Sequence, residues 1–491
     1  MKQEYIDFKI ECEKYLSKRS LNELRAYGRQ IGVKEPTKKS KPDLLAAIIA
    51  VLTGEEKPIE RSLRGAPIKN DYVDPEIVNT IDRLRHRYFD DEYGQLSWHD
   101  EMLRIMKKRG PETISFGDSH SGGADPRRDA SYTGQLQTLD GVACLLPLSC
   151  RENESLSVVV PVEFIRKYDL REGDVLSCQT QKMQSGKGFV VYAVHERNGV
   201  ALTETNAKRP HFEKENVDYP ATPISVYDGS NDDVSLKALE WLIPICKGQR
   251  ACVVSAPKAG KTELLYQIAK ATAKSKEVLT YVLLIEQTPE TVTKFRALLP
   301  EEQIVYTTYE DDEDKQVFTA DFLLKRAIRQ VESGKDVLLL VDSLSALAHA
   351  FNNTDESSGG KVLAGGLESK TVQYLKKYFG TARTLEKGKS LTIVGALSTE
   401  TGNIVDSVLC SELCGLANLE IHLSNELAIR RIYPAFDFIK TRLSGCVFTD
   451  EQNKLDNYLK TEYLPQHGDA ELLRALKQSK TFADLLHRVE K

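Results

Sequence analysis

The chain lacks any run of about 18 consecutive apolar residues, so no segment is long enough to span a bilayer as a helix. Its opening, Met1-Lys-Gln-Glu-Tyr-Ile-Asp, lacks the apolar core of a secretory signal, and a cytoplasmic protein is expected. It has no internal repeat, which excludes a solenoid or a propeller. Its nine cysteines are odd in number and irregularly spaced, which argues against a disulfide framework and for reduced thiols. Cys410 and Cys414 stand four apart on an expected helix, but no second ligand pair accompanies them, so no metal site is expected there. Positive charge is not in excess: the net charge is −5, and any contact with nucleic acid must come from local basic patches. What is there is ordinary for a globular protein, 41% hydrophobic and 28% charged over 491 residues. That length is enough for three or four domains of about 150 residues.

Residues 251–270 carry the clearest chemistry. A β-branched run ends at Val254, a glycine-containing turn follows, and an apolar-periodic helix starts near Thr262. That order of strand, loop and helix cradles phosphate, because the first helical N–H groups and the helix dipole both favour an anion. In such a loop Lys261 reaches the β- and γ-phosphates and the Thr262 hydroxyl ligates Mg²⁺. The motif opens on glycine, whereas this loop opens on Ser255, small enough to permit the turn. A chance Gly-Lys-Thr would not also have its strand and helix where the motif needs them. Downstream, Val337-Leu-Leu-Leu-Val-Asp342 is an apolar run closed by an acid, the pattern of a buried parallel strand delivering a carboxylate to the metal. A simple turn cap is the alternative reading of Asp342. The phosphate loop upstream favours the metal role.

Around this centre the chain divides by composition. Residues 1–65 read as an N-terminal helical module, with Leu21, Leu24, Tyr27 and Ile31 on one apolar face and Leu44, Leu45, Ile48, Ile49 and Leu52 on another. A basic loop with Lys34, Lys38, Lys39 and Lys41 lies between them, either a solvated turn or a contact for phosphates. Residues 66–134 read as a partly disordered linker, with an Arg-rich helix from Pro75 towards Lys108. Residues 135–200 switch to short strands, a small β-barrel for which the oligonucleotide-binding (OB) type is the leading candidate. A connector follows at 201–235. From 236 to 491 strands and helices alternate, an α/β pattern that implies a parallel sheet covered on both faces.

The string Ala256-Pro-Lys-Ala-Gly-Lys-Thr262 resembles the phosphate loop of the bacterial transcription termination factor Rho family. The resemblance continues through Leu283-Leu-Ile285, Pro289-Glu290, Asp342-Ser343, Gly360-Lys-Val-Leu-Ala-Gly-Gly366, Phe379-Gly380, His422-Leu-Ser424, Arg431, Pro434-Ala435 and Thr441-Arg442. It covers essentially all of 209–445, and the helical module and barrel match more loosely. It implies a RecA-like P-loop ATPase domain in a hexameric homo-oligomeric ring, hydrolysing ATP with Mg²⁺ and pulling single-stranded RNA. Activity in transcription termination, beside RNA polymerase and elongation factors, would follow. By resemblance Lys258, Ala259, Gly260, Lys261, Thr262 and Asp342 hold ATP and Mg²⁺, and Tyr433 stacks on adenine. Arg431 and Arg442 serve the phosphates, Arg442 as a finger offered to the neighbouring subunit. Lys361 and Gly365 lie in a loop facing RNA in the ring's hole.

Several positions depart from the family pattern. The residue expected to polarise the attacking water is Glu in the family and Gln287 here; an amide orients a water but does not take its proton. Glu286, next on an expected strand, points to the opposite face. Thr288, Ala346 and Asn425 stand at arginine positions, and Ile404 replaces a lysine of the second RNA-facing loop. The barrel has Val142, Cys144, Leu146, Val158 and Gly188 where the family has base-stacking aromatics or an arginine. Phe189 and Tyr192 remain and are expected to pack the barrel core. Two readings follow: an RNA-dependent ATP-driven motor, or a hydrolysis-impaired paralogue that binds ATP, oligomerises and regulates. A third, a P-loop ATPase acting on protein or small molecules, is disfavoured by the loop holding Lys361, Gly365 and Gly366.

Overall fold

The computed structural model describes residues 3–52 and 131–490, apart from 18, 32, 35, 37, 140–141, 151–157, 183–188, 204–208, 230–232, 355–360, 387–388 and 445–449, together with Ile77 and Ile81. Of the linker helix expected from Pro75 towards Lys108 only Ile77 and Ile81, both helical and buried, are described, and Gly188 lies outside the described residues. The chain forms two units, Met1–Phe116 and Gly117–Lys491.

In the first unit three helices, Gln3–Leu16, Leu21–Gln30 and Lys41–Leu52, surround a core that includes Leu24, Tyr27, Leu44 and Ile48. The second helix starts at a capping box: the Ser20 side chain accepts from the Glu23 amide, and the Glu23 carboxylate accepts from the Ser20 amide.

The second unit begins with a closed barrel. Strands β1 (Ser131–Leu139), β2 (Val142–Leu146), β3 (Val158–Val159), β4 (Val175–Lys182), β5 (Phe189–Arg197) and β6 (Val200–Ala201) are ordered β3-β2-β1-β4-β5-β6. A parallel β3–β5 pairing closes five of them into a ring. β1 starts inside the stretch assigned to the linker. Its polar run looks like a loop in composition, but Ser131 to Gln135 pair with β4, a partner far along the chain. Of the residues at the family's stacking positions, Val158 is buried in the barrel core, Cys144 is buried outside it and Val142 is partly exposed, as is Leu146 at the arginine position. Phe189 packs against the barrel core, and Tyr192 donates its hydroxyl to Gln179.

After the short strand β7 (Val217–Asp218), the nucleotide-binding region is built on β8 (Arg250–Ser255), β9 (Leu279–Leu284), β10 (Ile304–Tyr306), β11 (Val337–Asp342), β12 (Arg383–Leu385), β13 (Ser390–Ser398), β14 (Leu419–His422) and β15 (Arg442–Leu443). The main order is β10-β9-β11-β13-β8-β14-β15, with every pairing from β10 to β14 parallel. Apolar clusters cover both faces, as near-continuous apolar strands require. The helix Ser369–Phe379 is followed by β12. Gly380 closes that helix so tightly that a Cβ there would lie 2.5 Å from Lys376 O.

Among the described residues seven cysteines are free, whereas Cys246 is disulfide-bonded, an exception to the reduced set expected. The Cys410 and Cys414 sulfurs are 3.7 Å apart, and burial contributes to raising the thiol pKa of both, which makes them unreactive. Among the described residues no helix is long and apolar enough to cross a membrane.

The barrel is fastened to the sheet by buried polar groups. Arg209 forks onto Asp174 at 2.6 and 2.7 Å, and its Nε forms an ion pair with Glu332 at 2.9 Å. Arg326, from the helix Glu313–Glu332, donates to Gln135 of β1 at 2.7 Å and to the carbonyls of Glu302 and Leu148 at 2.6 Å. Removing one partner of a buried charge pair leaves the other uncompensated. Arg209→Ala is therefore expected to lower stability by about 3–5 kcal/mol, read as an earlier first transition in urea unfolding. An unchanged transition would mean that the cluster does not hold the barrel.

Candidate nucleotide-binding site

The carboxyl ends of β8 and β11 lie on the same edge of the sheet, separated by β13. Ligands of parallel α/β sheets bind outside that edge. β8 runs into a loop in which Lys258 and Gly260 take positive φ values of 66° and 108°, and the helix Lys261–Thr272 follows. Gly260 caps this helix without a side chain, so its first amides have no side-chain acceptor and are free for an anion. Glycine is required at 260 by its φ of 108°, which side-chain-bearing residues rarely adopt.

Lys261 folds back onto this loop, donating to Ser255 O at 3.0 Å, Ser255 Oγ at 3.2 Å and Ala256 O at 3.1 Å. Burial lowers its pKa, opposed by the nearby charges of Asp342 and Asp406. Asp342 is only 4% exposed; burial raises its pKa, while a hydrogen bond from Thr262 and the charge of Lys261 act the other way. Its Oδ2 is buried without a hydrogen-bond partner. An unpartnered carboxylate oxygen beside a threonine hydroxyl, at the mouth of a phosphate loop, is a donor set that fits Mg²⁺.

A cavity of about 600 Å³ opens beside the loop, of a size suited to a nucleotide. Lys258, Ala259, Gly260 and Tyr433 line it, so four of the residues expected to hold nucleotide meet in one place. Tyr433 is 57% exposed, which leaves a ring face free for a base. Sequence reading missed the rest of the wall: Asp233 and Ser235, Glu263 and Gln267 on the phosphate-loop helix, and Lys477 on the helix Asp469–Gln478. Glu263 and Gln267 are i,i+4 neighbours, so helical phase could have found them. Lys477 had no local signal.

Gln287 follows β9, and its Nε2 donates to Ile285 O at 3.3 Å and Asp342 O at 3.4 Å, which places it at the metal end. Glu286 is not on a strand: β9 ends at Leu284, and Glu286 is exposed at φ 55°, so the alternation expected of it does not apply. Arg431 (φ 58°) and Arg442, on the outer strand β15, are both exposed, and neither lines the cavity. Lys361 and Gly365 are exposed on a loop that meets a second loop: a Cβ on Gly365 would lie 3.1 Å from Val405 Cγ2 and 3.3 Å from Ile404 Cβ.

Comparison with known proteins agrees with this centre. The nucleotide-binding domain of the ATP synthase alpha/beta family matches residues 235–442, consistent with an α/β nucleotide-binding ATPase fold. The chain is 34% identical to the transcription termination factor Rho of Escherichia coli (strain K12) over 299 residues, 59% of this chain and 70% of that protein. It is 31% identical to the same factor from Streptobacillus moniliformis over 344 residues, 69% of this chain and 82% of that protein. An ATPase from the type III secretion system of pathogenic bacteria aligns with a TM-score of 0.46 at 21% identity, covering 57% of this chain and 87% of that one.

Asp342→Asn is expected to reduce nucleotide affinity measured with Mg²⁺ to the value found without it. Calorimetric titration with and without chelator checks this, and a retained Mg²⁺ dependence would remove Asp342 from the metal site. Tyr433→Ala should weaken binding by about fivefold, the loss of a single stacking contact near 1 kcal/mol.

Proposed function

The chain belongs to the transcription termination factor Rho family, and from that premise we propose that it is an ATP-driven ring protein that translocates single-stranded RNA in transcription termination. The observation that carries this reading is the convergence of Lys258, Gly260 and Tyr433 on one cavity, beside a phosphate-loop helix whose Thr262 hydrogen-bonds Asp342. Lys261, Thr262 and Asp342 would hold the triphosphate and Mg²⁺, an ion that would supply charge neutralisation for phosphoryl transfer. Tyr433 receives the base. Lys258 and the first amides of the helix Lys261–Thr272 fix the phosphates, so that hydrolysis rests on positioning and charge stabilisation.

Gln287 sets the pace. Its amide nitrogen is engaged with two backbone carbonyls, so Oε1 is the atom left to accept from the attacking water. It orients that water without taking its proton, and loss of a general base costs about 10²–10⁴ in rate. Slow, RNA-dependent hydrolysis is therefore the form of activity supported, with Gln287 affecting rate and not binding.

The exposed Arg431 and Arg442 suit a ring in which each copy completes its neighbour's site, hexameric by family likeness. The closed barrel, with a helix Val162–Tyr168 between β3 and β4, is read as OB-type. Its stacking positions carry no aromatic side chain, so it holds bases weakly and the Lys361 loop carries more of the RNA contact. RNA polymerase and its elongation factors are the partners this role implies.

Steady-state ATP hydrolysis should rise when single-stranded RNA is added; no response would overturn the RNA reading. Gln287→Glu should raise the stimulated rate by at least about tenfold, and an unchanged rate would remove Gln287 from the water's path. Arg442→Ala should lower hydrolysis while nucleotide affinity in isolated subunits stays the same, and equal loss of both would refute a role across the subunit boundary.

A further inference from the structure

The helix Leu344–Asn353 starts directly behind Asp342, capped by Ser343. Two of its residues, His349 and Asn352, are three apart and so are neighbours on its surface. Each holds one of the two loops that meet at Gly365. His349 Nε2 lies 2.8 Å from Asp406 Oδ1, and the Thr401 hydroxyl donates to Asp406 Oδ2 at 2.6 Å. Asn352 donates to Gly366 O at 3.3 Å and accepts from the Glu368 amide at 2.8 Å and the Thr371 hydroxyl at 3.0 Å.

Asp406 is the pivotal group. It is buried, it sits in the first turn of the helix Ile404–Cys414, and it is close enough to Lys261 for the two charges to interact. In the conformation seen, Lys261 rests on its own loop's carbonyls. A bound triphosphate would draw the ammonium away and neutralise it, which leaves Asp406 held by His349 and Thr401 alone. The same carboxylate therefore answers to the phosphate lysine on one side and to the Thr401–Ile404 loop on the other. With a proton on Nε2 the His349 imidazole donates to the Asp406 carboxylate.

We propose that His349, acting through Asp406, is a positioning residue that couples occupancy of the nucleotide site to the Thr401–Ile404 loop, and so links nucleotide affinity to RNA affinity. RNA enters only through the function proposed above, and the test separates the two claims. Binding of a fluorescein-labelled single-stranded RNA to the full chain is measured by anisotropy, with and without a saturating ATP analogue bearing a non-hydrolysable β–γ bridge and Mg²⁺. Nucleotide affinity is titrated in parallel.

The wild-type RNA affinity is expected to shift by about fivefold or more with nucleotide, within the usual range of coupling between sites. In His349→Ala the shift should collapse to within about twofold of unity while nucleotide affinity is retained. His349→Gln keeps an N–H donor within reach and should restore most of the shift. A full shift in His349→Ala overturns the inference. So does equal loss of coupling and nucleotide affinity, which would make the pair a support of the nucleotide site. A wild type that binds RNA without responding to nucleotide defeats the coupling alone. One that binds no RNA defeats the functional reading as well.

Discussion

A buried carboxylate with one oxygen unpartnered is the constraint on which the centre of this protein depends. Asp342 ends the β11 strand in an apolar interior, its pKa raised by burial and eased only by Thr262 and Lys261. An isolated buried charge is costly, and it is tolerated where a cation or a proton completes it. The sheet order follows the same need. With β13 between β8 and β11, the loop after β8 and Asp342 at the end of β11 stand on the same carboxyl edge, one strand apart. Lys258 and Gly260 turn that loop through left-handed backbone.

Much of this centre was legible in the amino-acid order because its parts are local. The phosphate loop is a strand, a turn and a helix in immediate succession, and Asp342 closes an unbroken apolar strand. Tyr433 and Gln287 came from family likeness; in the structure one lines the cavity and the other donates to Asp342 O. What was missed is non-local. Lys477 and Asp233 reach the cavity from opposite ends of the nucleotide-binding region, and no periodicity joins them. The start of β1 and the whole of β12 read as loop or helix because their strand character comes from partners distant in sequence. Glu286 was misplaced because the strand ends sooner than alternation assumes and the chain turns through a left-handed residue.

The departures from family pattern also change meaning once they are placed. Val158 belongs to the barrel core and so serves packing, whereas Cys144 is buried outside that cluster, its thiol donating to Gln137 O. Ile404 is exposed yet packs against Gly365, which makes it part of the contact between the two loops as well as a lost positive charge. The small side chain at 365 is needed for that approach, because a Cβ there would press on both Ile404 and Val405.

The junction around Arg209 and Arg326 has a mechanical meaning. Two guanidinium groups, each bonded on several sides at once, weld the barrel to the helix Glu313–Glu332 and hence to the sheet. A hinge needs groups that can exchange partners in water, and these are sealed away from it. The barrel is thus a fixed outrigger on the nucleotide-binding body. Whatever the barrel contacts stays at a constant offset from the Lys361 loop, and movement between the two has to come from that loop itself.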